Sequence, residues 1–205
     1  MEELALHILD LATNSIEAGC TWVSIGVDED IHGDSLTITV EDNGRGMDRD
    51  LLSRVTDPFA TTRTTRRVGL GVPLLAEAAR ACDGGITIES ERGRGTRVSA
   101  RFRHGHIDRM PVGDIAATVV AILGGNPGIR LIYRHSVNGR CFALDSDEMK
   151  RRLGEVPVSS PMVLTWLEGY LRQNLDEIGG ARDEVSGGPR EDPQRSAGEA
   201  EGPRR

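Results

Sequence analysis

The sequence predicts an α/β fold followed by a small α+β segment, and three observations lead to this prediction. Across residues 1–104, apolar residues recur with helical or strand periods in the order helix, strand, strand, helix, helix, strand, strand. Residues 105–178 then give the order helix, strand, strand, helix, helix. Residues 179–205 contain Gly, Pro, Ser and charged residues and almost no apolar ones, so we predict a disordered tail there.

The elements of the first segment follow from the spacing of apolar residues and from residues that begin or end helices. Asp48 can cap a short helix, and Pro73 is placed to begin the next one. The predicted elements are a helix over 2–18, strands Trp22–Val27 and Leu36–Val40, helices Asp48–Val55 and Pro73–Gly84, and strands Ile86–Glu89 and Arg97–Phe102.

The second segment is predicted by the same rules, and Asn138-Gly139 is a strong hairpin signal. The predicted elements are a helix over 112–124, strands Ile129–His135 and Arg140–Leu144, a helix ending at Leu153, and a helix beginning at Pro161. We find no catalytic motif in residues 105–178 and therefore interpret them as a partner-binding or dimerisation domain. Their two strands either extend the sheet of the first segment or pair across a homodimer.

Composition excludes several classes of protein. The 205 residues carry 25 basic and 32 acidic side chains, a net charge of −7, which argues against a protein that coats nucleic acid or an anionic membrane. No apolar run approaches the roughly 20 residues needed to cross a bilayer, and the acidic Met1-Glu2-Glu3 is wrong for a signal peptide. We therefore expect a soluble cytoplasmic protein that binds neither nucleic acid nor membrane.

The numbers and positions of lysine, cysteine and histidine exclude further kinds of site. The only lysine is Lys150, and no glycine-rich loop precedes it, so the phosphate-binding loop of P-loop enzymes is excluded. The three cysteines, at positions 20, 82 and 141, form no C-x-x-C pair and are interpreted as reduced thiols. His104 and His106 have no cysteine or carboxylate cluster beside them in the sequence, so a metal site there is not expected.

A polar stripe follows one side of the first predicted helix. It consists of His7, Asp10, Asn14 and Glu17, and Asp10 lies one turn from Asn14. An amide oxygen can ligate Mg²⁺, and a carboxylate beside it can orient a water molecule. The same stripe is also typical of an ordinary solvent-exposed helix face, and on its own it favours that simpler interpretation. His7 is interpreted as a helix-surface or packing residue.

Three glycine-containing motifs accompany this helix. Asp42-Asn43-Gly44-Arg45-Gly46-Met47 follows a strand, and there a carboxylate can accept a hydrogen bond from the amine of adenine while glycines allow a close approach. Gly69-Leu70-Gly71 precedes a helix, where backbone N–H groups can bind phosphate. Gly93-Arg94-Gly95-Thr96 lies in a predicted hairpin turn. Each motif alone is equally compatible with an ordinary turn or linker.

The order and spacing of these motifs resemble the Bergerat-fold ATPase superfamily, which includes DNA gyrase, the large heat-shock chaperones, mismatch-repair ATPases and the catalytic domains of histidine kinases. The family's N-box is matched by HILDLATNSIEAG, and its three glycine boxes by DNGRGM, GLG and GRGT. Phe59 lies at the position of the histidine-kinase F-box, and DPFATTR is similar to the start of their lid. The resemblance covers residues from about 5 to 103 and is nearest to the histidine kinases.

The resemblance implies a fold and a set of roles. The fold would be an α/β sandwich, a mixed sheet covered on one face by helices, and residues 1–104 would bind ATP. Asn14 would ligate Mg²⁺, Asp42 would bind adenine, and Asp10 lies where many relatives have a glutamate base. The remaining implied nucleotide-binding residues are Gly44, Gly46, Met47, Phe59, Thr62, Arg63, Arg66, Arg67, Gly69, Leu70, Gly71 and Thr96.

Three functions stay open at this point. The first is a histidine-kinase-like enzyme that acts on a separate phosphoacceptor protein, since the N-box helix begins at the N-terminus and we expect no acceptor-bearing dimerisation helix. The second is a non-catalytic switch in which ATP controls partner binding. The third is a slow ATPase of the mismatch-repair kind with Asp10 as base, although the lone Lys150 argues against a transducer lysine.

Overall fold

The computed structural model describes residues 3–56 and 71–179. It consists of a six-stranded sheet in the order β3-β4-β2-β1-β5-β6 and helices packed on it. The elements are α1 (Leu4–Glu17), β1 (Trp22–Asp30), β2 (Ser35–Asp42), α2 (Arg49–Leu52), α3 (Gly71–Ala81), β3 (Gly85–Glu91), β4 (Gly95–Arg103), α4 (Ile115–Gly125), β5 (Arg130–Val137), β6 (Arg140–Asp145), α5 (Ser146–Leu153) and α6 (Pro161–Gly179).

The sheet is mixed, because β5 runs parallel to β1 while every other pair of neighbours is antiparallel. The alternating residues of the strands decide which face is covered. Val23, Ile25 and Val27 of β1 are buried under the helices, whereas Arg97 and Arg101 of β4 point to the exposed face. The predicted α/β sandwich, a mixed sheet covered on one face by helices, is therefore confirmed.

The helices divide the covered face among them. α1 packs against β1 and β2, α3 against β3 and β4, and α6 against β5 and β6. α4 lies against both α1 and α6. Aliphatic side chains of all these elements form a single core that continues across the whole sheet, as the scarcity of aromatic residues requires.

The strands of residues 105–178 extend the sheet of the first segment, which is one of the two arrangements that the sequence left open. β5 pairs with β1 along its length, from Trp22 opposite Arg130 to Glu29 opposite Val137. The structure thus joins residues on both sides of position 104 in one sheet and one core. The division into two domains at residues 104 and 105 stays a prediction.

The predicted elements occur in the predicted order, with small differences at their ends. β1 continues three residues beyond Val27, because Asp28, Glu29 and Asp30 remain paired with β2. The predicted helix from Asp48 to Val55 is shorter and spans Arg49–Leu52. Asp48 caps it as expected, since its carboxylate accepts a hydrogen bond from the Leu51 N–H at 2.9 Å. Within the described residues, no helix is long and apolar enough to cross a bilayer.

Candidate functional site

A buried carboxylate lies at the end of β2. Asp42 is only 6% exposed, and two donors fix its side chain. The Ser15 hydroxyl donates to Oδ2 at 2.6 Å, and the Gly44 N–H donates to Oδ1 at 2.7 Å. Because burial of an unpaired charge is costly, these donors are what allow the carboxylate to remain inside the fold. Its orientation is therefore set before any ligand arrives.

Asp42 borders a cavity of about 450 Å³ between α1, the sheet and the segment that follows β2. The polar side chains lining it are Asn14, Ser15, Glu17, Asp42, Arg45 and Thr96. The apolar ones are Leu11, Ala18, Val40, Met47, Leu51, Val55, Val72, Ile88 and Val98. A mainly apolar cavity with one fixed carboxylate suits a flat, weakly polar ring that carries a hydrogen-bond donor at its edge.

The turn before β4 closes one side of the cavity, and it depends on glycine. Gly95 has a φ of +102°, and a Cβ there would overlap the backbone carbonyl of Asp42. This close approach places Thr96 directly opposite Asp42 in the register of β2 and β4. The Thr96 hydroxyl lies 2.9 Å from the Ser90 hydroxyl.

Ser90 links this turn to the first glycine motif. Its hydroxyl accepts a hydrogen bond from the Met47 N–H at 2.8 Å and donates to the Gly95 carbonyl at 2.9 Å. Gly46, with a φ of +63°, packs so tightly against the same turn that a Cβ would overlap the Glu91 carbonyl. The segment DNGRGM and the turn GRGT are therefore held together as one wall.

The polar stripe of α1 lies against the N-terminus of α3. The Asn14 amide nitrogen donates to Asp10 Oδ2 at 3.2 Å, so the amide oxygen is the atom suited to ligate a cation. A Cβ on Gly71, the first residue of α3, would overlap the Asp10 carboxylate. The N-box and the start of the helix after the second glycine motif thus converge. Asp10 makes this contact and is not among the residues that line the cavity.

Most of the predicted site residues can now be placed. Asn14, Asp42, Gly46, Met47 and Thr96 line the cavity. Gly44 holds the Asp42 carboxylate, and Gly71 contacts Asp10. The predicted lid and phosphate-binding residues Phe59, Thr62, Arg63, Arg66, Arg67, Gly69 and Leu70 lie outside the described residues.

The residues of the site that were not predicted include Ser15, Ser90 and Arg45. Ser15 is the neighbour of Asn14 and lies about 100° around the helix from it, so an analysis of the polar stripe passed over it. Ser90 occupies the inward position after Ile86 and Ile88, and a polar residue in that alternation was the available signal. Arg45 was missed because the prediction assigned roles to the glycines on either side of it and none to the residue between them.

The cysteines and histidines take no visible part in this site. Burial and the charge of Asp42 raise the pKa of Cys20 to about 11, so its thiol stays protonated at neutral pH. His7 is buried and packs inside the fold, where burial lowers its pKa. His104 and His106 bind different carboxylates, Glu29 at 3.1 Å and Asp83 at 3.8 Å. No cluster of metal-ligating side chains occurs among residues 3–56 and 71–179.

Comparison with known proteins agrees with the geometry. The family model described as histidine kinase-, DNA gyrase B- and HSP90-like ATPase matches residues 2–106. The chain belongs to this family. The resemblance predicted from four short motifs is thereby confirmed, and the N-box, the first and third glycine boxes and the start of α3 surround the cavity of this ATPase domain.

Relatives of the ATPase domain include bacterial kinases. The sensor protein kinase FleS of Pseudomonas aeruginosa is 40% identical over 89 residues, which are 43% of this chain and 22% of FleS. Sporulation kinase E of Bacillus subtilis is 40% identical over 98 residues, which are 46% of this chain and 13% of that kinase. The chain thus spans less than a quarter of the length of either relative.

The fold is also similar to that of a DNA repair protein. The crystal structure of that protein's N-terminal domain matches with a TM-score of 0.50 at 16% identity, covering 89% of this chain and 59% of the other. At this identity the likeness concerns the fold alone. It extends past residue 106, where the family model ends, and so includes part of the C-terminal half.

Proposed function

We propose that this histidine-kinase-like ATPase domain binds ATP with Mg²⁺ and that the protein acts together with a separate partner protein. The observation that carries this proposal is Asp42, a buried carboxylate whose two oxygens are fixed by Ser15 and Gly44 on the wall of an apolar cavity. A carboxylate so fixed accepts a hydrogen bond from the exocyclic amine of adenine. The carbonyl of guanine or hypoxanthine at the same ring position would meet it with like partial charge.

The phosphates would extend from the cavity toward α3. The first turn of α3 has backbone N–H groups without helical partners, and such groups favour an anion. Asp10 and Asn14 lie at the same end, and their oxygen atoms are the hard ligands that Mg²⁺ prefers. Asn14 would hold the ion, and the ion would neutralise part of the phosphate charge. Arg63, Arg66 and Arg67 are the candidate lid contacts.

The acceptor of the phosphoryl group is proposed to lie on another protein. The chain has five histidines, and none of them lines the cavity. His7 and His135 are buried, which makes them unsuitable as acceptors. In the alternative of slow hydrolysis, Asp10 would act as the base toward water, with a carboxylate one methylene shorter than glutamate.

A second candidate function is a switch in which nucleotide binding controls a partner. One contact favours it. The first N–H groups of α1, at Leu4 and Ala5, donate to the carbonyls of Pro111 and Val112 at 3.0 and 2.8 Å. The helix that carries Asp10 and Asn14 is therefore capped by the segment leading into the C-terminal half. Movement of α1 on nucleotide binding would reach residues 105–178, which we propose contact the partner or a second copy of the chain.

Binding is tested by calorimetric titration of ATP with and without Mg²⁺. We expect Mg²⁺ to strengthen binding to the wild-type protein, and Asn14→Ala to remove that Mg²⁺ effect. Asn174→Ala makes the same chemical change on α6, where the side-chain amide donates to the Tyr170 carbonyl at 2.7 Å, and should behave as wild type. Absence of ATP binding by the wild-type protein would refute the proposal.

The three functions are separated by following the γ-phosphate of labelled ATP in the presence of proteins that co-purify with this chain. Label on a partner indicates phosphotransfer, and release of inorganic phosphate that Asp10→Asn reduces indicates hydrolysis. Partner association that depends on ATP without either event indicates the switch.

A further inference from the structure

Arg45 lies on the rim of the cavity and is its one basic residue among the described lining residues. Its side chain is exposed, but its backbone is fixed at both ends. The Arg45 N–H donates to the Ala18 carbonyl at 3.0 Å, and the Arg45 carbonyl accepts from the Gly93 N–H at 2.8 Å. The Cα is thus held between the end of α1 and the turn before β4.

The guanidinium of Arg45 has no hydrogen bond or ion pair with another residue in the described part of the chain. Neighbouring arginines differ in this respect. Arg97 pairs with Glu41 at 3.0 Å and Arg94 with Glu91 at 2.9 Å. A guanidinium that lines a cavity and is not held by a protein carboxylate is available to a ligand.

The position of Arg45 along α1 decides which part of the ligand it can reach. Arg45 is bonded to Ala18, whereas the N-terminus of α3 contacts Asp10, eight residues earlier on the same helix. Eight residues of α-helix rise about 12 Å. Arg45 therefore lies at the Asp42 end of the site and away from the end where the phosphates would lie.

We infer that Arg45 is an affinity-determining residue that covers the purine ring held by Asp42, with its planar guanidinium stacked on the face of the base. This inference rests on the proposed function. A planar, always charged guanidinium stacks well on aromatic rings, and the fixed Arg45 backbone limits the entropy lost when the side chain closes over the ring. The contact involves the base alone, so it is equal for adenosine, ADP and ATP.

The experiment measures the affinities of adenosine, ADP and ATP for the wild-type protein, Arg45→Ala and Arg45→Lys. We expect Arg45→Ala to weaken all three by the same factor, about threefold to tenfold. Arg45→Lys should recover only part of this loss, because an ammonium group is a point charge without a plane. Arg49→Ala, which removes an exposed arginine of α2 outside the cavity lining, is the matched control and should change none of the three affinities.

Other outcomes would overturn the inference in distinguishable ways. A loss that grows from adenosine to ADP to ATP would mean that Arg45 contacts phosphate, and full recovery by Arg45→Lys would mean that only its charge matters. Unchanged affinities in Arg45→Ala would mean that it does not touch the ligand. Failure of the wild-type protein to bind any of the three would instead refute the proposed function. Equal melting temperatures of the variants confirm that the fold is unchanged.

Discussion

Two carboxylates are buried on the covered face of adjacent strands, and their surroundings differ. Asp42 ends β2, whereas Glu29 lies near the end of β1, so the antiparallel pairing places them at opposite ends of the sheet. Asp42 is held by the Ser15 hydroxyl and a backbone N–H, and it borders the cavity of about 450 Å³ described above. Glu29 accepts hydrogen bonds from two imidazoles, His135 at 2.8 Å and His104 at 3.1 Å.

Glu29, His104 and His135 form a hydrogen-bonded cluster with a fourth residue, Tyr133, and we call it the Glu29 cluster. The Tyr133 hydroxyl lies 2.8 Å from His135 Nδ1. Burial, with a smaller effect of the Glu29 charge, raises the pKa of Tyr133 well above its usual range, so the hydroxyl keeps its proton and donates to Nδ1. His135 then donates from Nε2 to Glu29. The cluster ties β1, β5 and the segment after β4 together.

The cavity beside Glu29 is larger, about 950 Å³, yet its charged groups are mostly paired with each other. Arg172 binds Asp114 at 2.7 Å, and Arg109 binds the carbonyls of His104 and Met110. The proposed ligand site is thus the smaller of these two cavities, and its size is not what points to it. What distinguishes the Asp42 cavity is a fixed carboxylate and the guanidinium of Arg45, which pairs with no described residue, on walls that are mainly apolar.

Glu29→Ala should have the largest effect and should act on stability. Removing the carboxylate leaves two imidazole N–H groups without their acceptor, and leaving buried donors unsatisfied costs about 1–3 kcal/mol of unfolding free energy for each group. Glu41→Ala, which breaks the exposed pair with Arg97 on the next strand, should cost less than about 1 kcal/mol. Urea denaturation measures both. Equal losses would mean that the Glu29 cluster is no more structural than a surface pair.

Asp42→Asn should act on ligand binding and leave the fold nearly intact. Loss of a charged hydrogen bond to adenine should weaken ATP binding by about 1.5–3 kcal/mol, while the remaining amide oxygen still accepts one internal hydrogen bond. Calorimetry measures the affinity, and urea denaturation measures the stability. Asp176→Asn, on the exposed part of α6, is the control. A variant that unfolds easily but binds ATP normally would assign Asp42 a structural role like that of Glu29.

Ser15→Ala tests whether the carboxylate must be held to bind well. The variant removes the donor to Asp42 Oδ2 and should reduce the affinity for ATP by about 1 kcal/mol, the value of one hydrogen bond. Ser53→Ala removes a hydroxyl that donates to the Asp50 carbonyl at 2.9 Å and should leave the affinity unchanged. If both variants bind ATP equally well, Ser15 does not position Asp42.

His7 should give the smallest effect, visible as a pH dependence of stability. Burial lowers its pKa in the folded protein below the usual 6.5, so the unfolded chain binds more protons between the two pKa values. Stability must therefore fall as the pH decreases through about 6.5 and below. The measurement is the urea midpoint of each protein at neutral and at mildly acidic pH. Between these two conditions, His7→Leu should lose less stability than the wild-type protein. An equal loss would place the acid sensitivity elsewhere.

Much of the site could be predicted because its residues occur in short contiguous motifs. DNGRGM and GRGT each lie within one turn of chain, so their glycines and Asp42 are visible without knowing the fold. Ser15 and Ser90 were not predictable in this way, because their roles depend on which strand end lies opposite them. Glu29 was missed for a related reason: apolar alternation in β1 stops at Val27, and a charged residue at the next inward position resembles the end of a strand.

The position of residues 105–178 shows a second limit of prediction from sequence, which concerns the order of strands in the sheet. Their strands were predicted from local alternation, but local pattern does not say which strand is the neighbour. Parallel pairing of β5 with β1 depends on α4 crossing the covered face between them, a contact between residues more than a hundred positions apart. The sequence therefore left two arrangements open, and the register of β1 with β5 decided between them.

The central claim, that Asp42 recognises the amine of adenine, is tested most directly by comparing ATP with inosine triphosphate on the wild-type protein. The two ligands share every phosphate and sugar atom and differ in the base, where the 6-amine, a donor, becomes a carbonyl, an acceptor, and N1 gains a hydrogen. We expect calorimetry to show clearly weaker binding of inosine triphosphate, by about tenfold or more. Equal affinities for the two nucleotides would contradict the claim.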